Sequence, residues 1–218
     1  MNKQPLRAVF MKTDRAVYIS HLDLMRTLQR AMSRAKLPIW HTEGYNPHIY
    51  VSLPLALPLG VESVTELMDF AIIENIPSEQ VRESLNAALP EGIKVKRIFL
   101  PKRPVSDITE AEYEMTFFGV DGRAVLEKLN AMMRLDKIEF KKRNKKKAEI
   151  LIDIKPYIHI SETVANGCLS IKLTLPTGSF NINTAAFTDA FLRHSGLQFN
   201  KIYAIRTKLL CADGTEFV

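Results

Sequence analysis

The sequence predicts an α+β protein, and three observations predict it. Apolar residues alternate with period two in some segments and recur at helical spacing in others. Across residues 1–103 these segments run strand, helix, strand, strand, helix, strand. After a proline-rich stretch the same order returns with one additional hairpin. A βαββαβ order places four antiparallel strands beneath two helices on one face. The predicted class is therefore two tandem ferredoxin-like units with antiparallel sheets, the second with an extra hairpin. The predicted boundaries are 1–103 for the first unit, 104–111 for a linker and 112–218 for the second unit, which carries a basic hairpin.

Each element has a local reason. "LRAVFMKTDRAVYIS" reads as a strand, a turn at Thr13-Asp14 and an extension. Ser20 then caps a helix, with Asp23 three residues on as a capping-box variant. Along that helix Leu24, Leu28, Ala31 and Ala35 form one apolar stripe, and Pro38 stops it. Extended pieces follow at 48–57 and 65–74. "SEQVRESLNAALPEG" is a helix capped at Ser78 and ended by Pro90 and Gly92, and "IKVKRIFLP" is a strand. "PKRPVSDITEA" is polar and proline-rich, as linkers are. In the second half "EYEMTFFGV" is a strand and "GRAVLEKLNAMMRL" a helix. "KIEFKKR" with "AEILIDI" makes one hairpin, and "YIHIS" with "LSIKLTLP" another that turns at Asn166-Gly167. "TAAFTDAFLRHSG" is a helix ended by Gly196, and "KIYAIRTKLL" the last strand. The halves share element order and no residue-level repeat.

Composition is that of a globular protein, 46% apolar and 25% charged. No window approaches a membrane span, and "MNKQPLRAVF" has no apolar signal core, so a cytoplasmic location is expected, with no membrane partner. Cys168 and Cys211 stand alone, which gives neither a disulfide framework nor a Cys-x-x-Cys metal site. There is no GxxxxGK[ST], no GxGxxG, no nucleophile elbow and no cysteine triad for an iron–sulfur cluster. No cofactor or metal is expected in this chain.

Net charge is +6, and its distribution points to an anionic partner. Residues 1–42 hold Lys3, Arg7, Lys12, Arg15, Arg26, Arg30, Arg34 and Lys36 against Asp14 and Asp23, which accounts for the whole excess. Arg26, Arg30 and Arg34, four apart, share one helix face, and the guanidinium fork suits phosphate; Arg7, Lys12 and Arg15 are close enough in sequence to line the same surface. The ordinary alternative is a solvated helix face. A second concentration is "KKRNKKK": Lys141, Lys142, Arg143, Lys145, Lys146 and Lys147, expected at a hairpin tip that tracks a nucleic-acid backbone or shields a sheet edge. RNA is the expected anionic partner.

Catalysis has weaker candidates. His21 opens the first helix, and His41 and His48 flank Gly44. A histidine could serve as general base for an RNA 2′-hydroxyl; loop histidines more often bond backbone. Trp40, Tyr45 and Tyr50 could stack bases or pack the core. No residue set supports catalysis by this chain alone.

The strings "YISHLDLMRTLQRAMSRAKLPI", "GYNPH", "LPLGVES", "LNAALPEG" and "DIKPYI" resemble the radical SAM-linked protein family, a domain of unknown function fused to, or encoded beside, radical-SAM proteins. The resemblance spans most of the chain and is densest over about residues 6–100. It implies a radical-SAM partner holding the iron–sulfur cluster and SAM, with this chain as its accessory or substrate-handling part. Taken with the first-helix arginines and the Lys141–Lys147 hairpin, the expectation is an RNA-binding accessory module acting on transfer or ribosomal RNA. One departure stands out: after "NPH" the family continues with proline and a basic residue, where this chain has Ile49-Tyr50. The tandem order is also similar to that of CRISPR-repeat-processing endoribonucleases, which implies a metal-independent nuclease as one alternative. The other is a protein-interaction module that docks on the radical-SAM partner.

Overall fold

The computed structural model describes residues 3–143, 149–178 and 180–217. Among them the fold is α+β, with four α-helices and antiparallel strand pairs. The chain divides into two compact units, Met1–Asp107 and Ile108–Val218.

The first unit is built from β1 (Gln4–Lys12), α1 (His21–Arg34), β2 (Val51–Ser52), β3 (Glu62–Ile72), α2 (Ser78–Ala88) and β4 (Ile93–Phe99). Its strands lie in the order β4-β1-β3-β2. Alternation along β1 sends Leu6, Ala8 and Phe10 into a core shared with Leu28 and Met32 of α1 and Leu85 of α2. Ser20 caps α1 as expected: its hydroxyl accepts from the Asp23 backbone N–H and donates to the Asp23 carboxylate. The helix ends in a Schellman turn, with Lys36 N–H on Ser33 O at 3.1 Å and Leu37 N–H on Met32 O at 3.4 Å. The left-handed residue of that turn is Lys36, at φ 52°.

Two expectations change here. The extended piece expected at 48–57 contracts to Val51–Ser52, because Pro54 and Pro58 cannot donate to a ladder. Ser78 is the first residue of α2; Pro77 stands at the cap and no side chain caps this helix. The α2 residue Asn86 instead reaches sideways. Its amide donates to Val95 O at 2.9 Å and its oxygen accepts from Val95 N–H at 2.8 Å, so a helix side chain pairs with the backbone of β4. Gly92, at φ 81°, opens β4 where an added Cβ would lie 2.5 Å from Thr13 O.

The second unit is built from β5 (Ile108–Phe118), α3 (Gly122–Met133), β6 (Glu139–Arg143), β7 (Glu149–Asp153), β8 (His159–Asn166), β9 (Cys168–Pro176), α4 (Thr184–Ser195) and β10 (Lys201–Cys211). Residues 108–111, read from the sequence as the end of a linker, belong to β5. The strand order is β10-β5-β9-β8, with β6-β7 a separate hairpin. Strict alternation on β5 and β9 buries Tyr113, Met115 and Phe117 beside Ile171 and Leu173. Phe117 meets Phe191 of α4 at 5.4 Å between ring centres. The hairpin is anchored at its base: Asp153 accepts from the Ile138 and Lys155 N–H groups, each at 3.0 Å, and Arg193 of α4 donates to Glu139 O at 3.0 Å.

Candidate nucleic-acid interface

The cations predicted for one surface fall into two groups. Arg7 is only 4% exposed and Lys12 only 2%. Arg7 pairs with Asp69 and donates to Arg103 O at 2.8 Å. Lys12 Nζ donates to Val17 O at 3.3 Å and Ile19 O at 2.9 Å. Both hold the first unit together and present no free charge to a ligand. This corrects their expected position beside Arg15, which is exposed.

Arg26, Arg30 and Arg34 are all exposed on α1. Arg26 meets Asp23 at 3.1 Å in a surface pair of three-residue spacing. The Ser20 hydroxyl, and after it Arg26, hold the Asp23 carboxyl below its ordinary range. Arg34 donates to Ala88 O at 2.7 Å, at the last residue of α2. Arg30 forms no ion pair with a described carboxylate at contact distance.

Residues 40–50 form a finger at the edge of β3. Its base is tied to the strand, with Trp40 N–H on Ala71 O at 2.8 Å and Val51 opposite Phe70. Its legs pair through Tyr50 N–H on Trp40 O, the bridge of His41 with Ile49, and Thr42 N–H on His48 O. Gln29 of α1 donates to Ile49 O at 2.9 Å and braces it. The Asn46-Pro47 tip carries Tyr45, fully exposed at 103%. Alternation puts Trp40, Thr42, His48 and Tyr50 on one face and His41 with Ile49 on the other.

Both finger histidines turn Nδ1 toward a backbone carbonyl. His41 Nδ1 lies 3.1 Å from Ile39 O, and His48 Nδ1 lies 3.1 Å from Asn46 O. A carbonyl only accepts, so either contact is a hydrogen bond when Nδ1 bears a proton. Thr42 Oγ1 also contacts His48 Nδ1 at 3.0 Å. His21 is exposed at the first position of α1, away from the finger in sequence. The structure thus joins His41 and His48 on one finger, on opposite faces.

The same finger face walls a cleft of about 450 Å3 within the first unit. Lys3, Trp40, Thr42, Tyr50, Asp69 and Pro101 line it. Trp40 and Tyr50 meet edge to face, 5.5 Å between centres. Lys3 Nζ stands 3.8 Å above the Trp40 ring. Sequence reading missed this cleft. Its signal was the pattern W-x-T before the turn and H-x-Y after it, two legs with matched alternation.

In the second unit Lys141 is exposed and its partner across the hairpin, Leu151, is exposed too. The backbones of Lys142 and Arg143 belong to β6, but their side chains, and all of Lys145, Lys146 and Lys147, lie outside the described residues. Among the described residues no three His, Cys, Asp or Glu side chains converge to hold a metal ion, and no helix is long and apolar enough to cross a membrane.

No curated protein matches this chain. Two solved structures are similar to it over most of its length. One, described as the crystal structure of an unknown protein from Galdieria sulphuraria, is 12% identical, with 94% of this chain and 99% of that chain covered and a TM-score of 0.30. The other, a DypB variant in complex with manganese, is 9% identical, with 93% of each chain covered and a TM-score of 0.19. Scores this low carry no argument about fold or ligand. One family model does match, over residues 5–183, and its description names neither partner nor cofactor. On that match, which takes in the capped helix, the finger and most of the second unit, the chain belongs to DUF2344, the uncharacterized protein family conserved in bacteria.

Proposed function

We propose that this protein is an RNA-binding, substrate-handling module that works in the cytoplasm with a radical-SAM enzyme on transfer or ribosomal RNA. The observation that carries the reading is the α1 surface: Arg26, Arg30 and Arg34 stand exposed at four-residue spacing, on the helix that braces the finger through Gln29. Arginines so spaced follow a phosphate backbone, and a finger with an exposed tyrosine at its tip adds a stacking surface. The basic hairpin of the second unit extends the same chemistry. The radical-SAM partner is supported by the resemblance of the sequence strings alone, and exposed Tyr18 and Leu22 flanking the α1 cap offer it an apolar footing. We also assign each unit to the ferredoxin-like class, on the parallel between the orders β4-β1-β3-β2 and β10-β5-β9-β8.

The test is a filter-binding titration with structured RNA at several salt concentrations. Affinity should fall steeply as salt rises. Absent or salt-independent binding overturns the reading.

One observation favours a second reading. His48 stands exposed on the finger with Nδ1 held against Asn46 O, and an exposed, oriented imidazole is what a general base for a 2′-hydroxyl requires. A metal-independent endoribonuclease would cleave RNA in EDTA and lose that activity in His48→Ala. Intact RNA after prolonged incubation removes this alternative.

A further inference from the structure

We infer that the cleft at the root of the finger is a subsite for one unpaired nucleotide of the bound RNA. Its base stacks on an open ring face in the corner of Trp40 and Tyr50, its phosphate meets Lys3, and an exocyclic amino group of the base donates to Asp69. The inference rests on the RNA-binding reading and gives that surface a specific contact.

Size comes first. A cleft of about 450 Å3 falls within the range of small-ligand sites, and a nucleotide is a small ligand of that class. Shape comes next. Trp40 and Tyr50 stand at 67° to one another, so they form two walls of a corner rather than a closed stack. A ring face left open in a corner takes a planar base, and every base has such a face.

Charge fits the rest of a nucleotide. The Lys3 ammonium rests on the Trp40 ring, where its flexible four-carbon stem lets it swing aside. Displaced by a base, its nearest new partner is the phosphate of that same nucleotide. The Asp69 carboxylate is already held by two guanidinium bonds from Arg7, at 2.6 and 2.8 Å, so its charge is balanced and its orientation fixed. Each carboxylate oxygen keeps a second lone pair, and Asp69 is 24% exposed at the cleft. That acceptor suits the exocyclic amino group of adenine, cytosine or guanine. Uracil presents carbonyl oxygens at the corresponding positions, which a carboxylate repels.

Trp40 is the sole tryptophan of the chain, so its emission reads the subsite directly. The whole protein is titrated with AMP, CMP, GMP, UMP and adenosine, in parallel with structured RNA on filters. AMP, CMP and GMP should quench Trp40 saturably, with UMP weaker by about threefold or more. Tyr50→Leu should weaken nucleotide binding about tenfold with an unchanged circular dichroism spectrum. Adenosine should bind more weakly than AMP, and Lys3→Gln, at an exposed position, should erase that difference. If RNA binds while Trp40 emission ignores every nucleotide, the subsite is overturned and the RNA reading stands. If UMP quenches as well as AMP, and Lys3→Gln changes nothing, the assignment of Asp69 and Lys3 is overturned. If neither RNA nor nucleotide binds, both readings fall together.

Discussion

Arg7 of β1 and Asp69 of β3 sit directly opposite each other in the ladder and join by two bonds, Nε to Oδ1 at 2.6 Å and Nη2 to Oδ2 at 2.8 Å. Arg7 spends a further N–H on Arg103 O, near the end of the first unit. Arg7→Ala would strand a carboxylate and free a backbone oxygen. Because Asp69 is partly exposed, the loss should sit below the full cost of breaking a buried pair, at about 2–3 kcal/mol. Urea denaturation with an unchanged slope and a lowered midpoint checks this; a wild-type midpoint contradicts it.

Arg30 should behave in the opposite way. Its charge faces solvent, so Arg30→Gln should leave the denaturation midpoint within experimental scatter. It should lower RNA affinity and reduce the slope of log affinity against log salt by about one. An unchanged slope would show that α1 does not meet phosphate.

Lys36 separates stability from binding in a single variant. Its left-handed φ of 52° closes the Schellman turn after α1, a position that glycine occupies without a Cβ penalty. Lys36→Gly should raise stability by about 0.5–1 kcal/mol while removing one surface cation. Thermal melting and RNA titration on the same sample should move in opposite directions.

Ser20 and Asp23 give a pH prediction. The Ser20 hydroxyl bond, followed by Arg26, depresses the Asp23 pKa below the ordinary 3.8. A depressed carboxyl stabilises the fold fully above its unfolded pKa, and that contribution is lost as pH falls through the lower folded value. The α1 N-terminus should therefore hold down through the ordinary aspartate range and loosen only below it. Ser20→Ala should return the Asp23 pKa toward 3.8, as read by carboxyl NMR titration, and cost about 1 kcal/mol through the lost cap. A pKa indifferent to Ser20 would refute the coupling.

Element order was legible because it rests on local periodicity and punctuation. Ser20 and Gly196 mark helix ends through bonds within a turn or so of themselves, and the structure places helix ends there, while α1 stops at Arg34, one turn before Pro38. What was illegible depends on partners far along the chain. Nothing local distinguishes Arg7 from Arg30; the difference is Asp69, 62 residues away. The cleft was hidden for the same reason, since Lys3, Trp40 and Asp69 come from three separate segments. The strings that carried the family resemblance now divide. "SHLD" is a helix cap, and "DIKPYI" anchors a hairpin through Asp153. "GYNPH" has no comparable internal duty at Tyr45, which turns outward. That places the unexplained part of the resemblance on the finger.

The amide of Asn86 has a wider consequence. β4 ends the strand order of its unit, and its outward backbone groups would otherwise template another strand. By taking both polar atoms of Val95, Asn86 occupies the middle of that edge as a further strand would, but as a dead end. Exposed Lys94, Lys96 and Arg97 repel a second copy along the rest of it. Amide and cations together leave β4 a closed edge, on which strand-by-strand polymerisation finds no template.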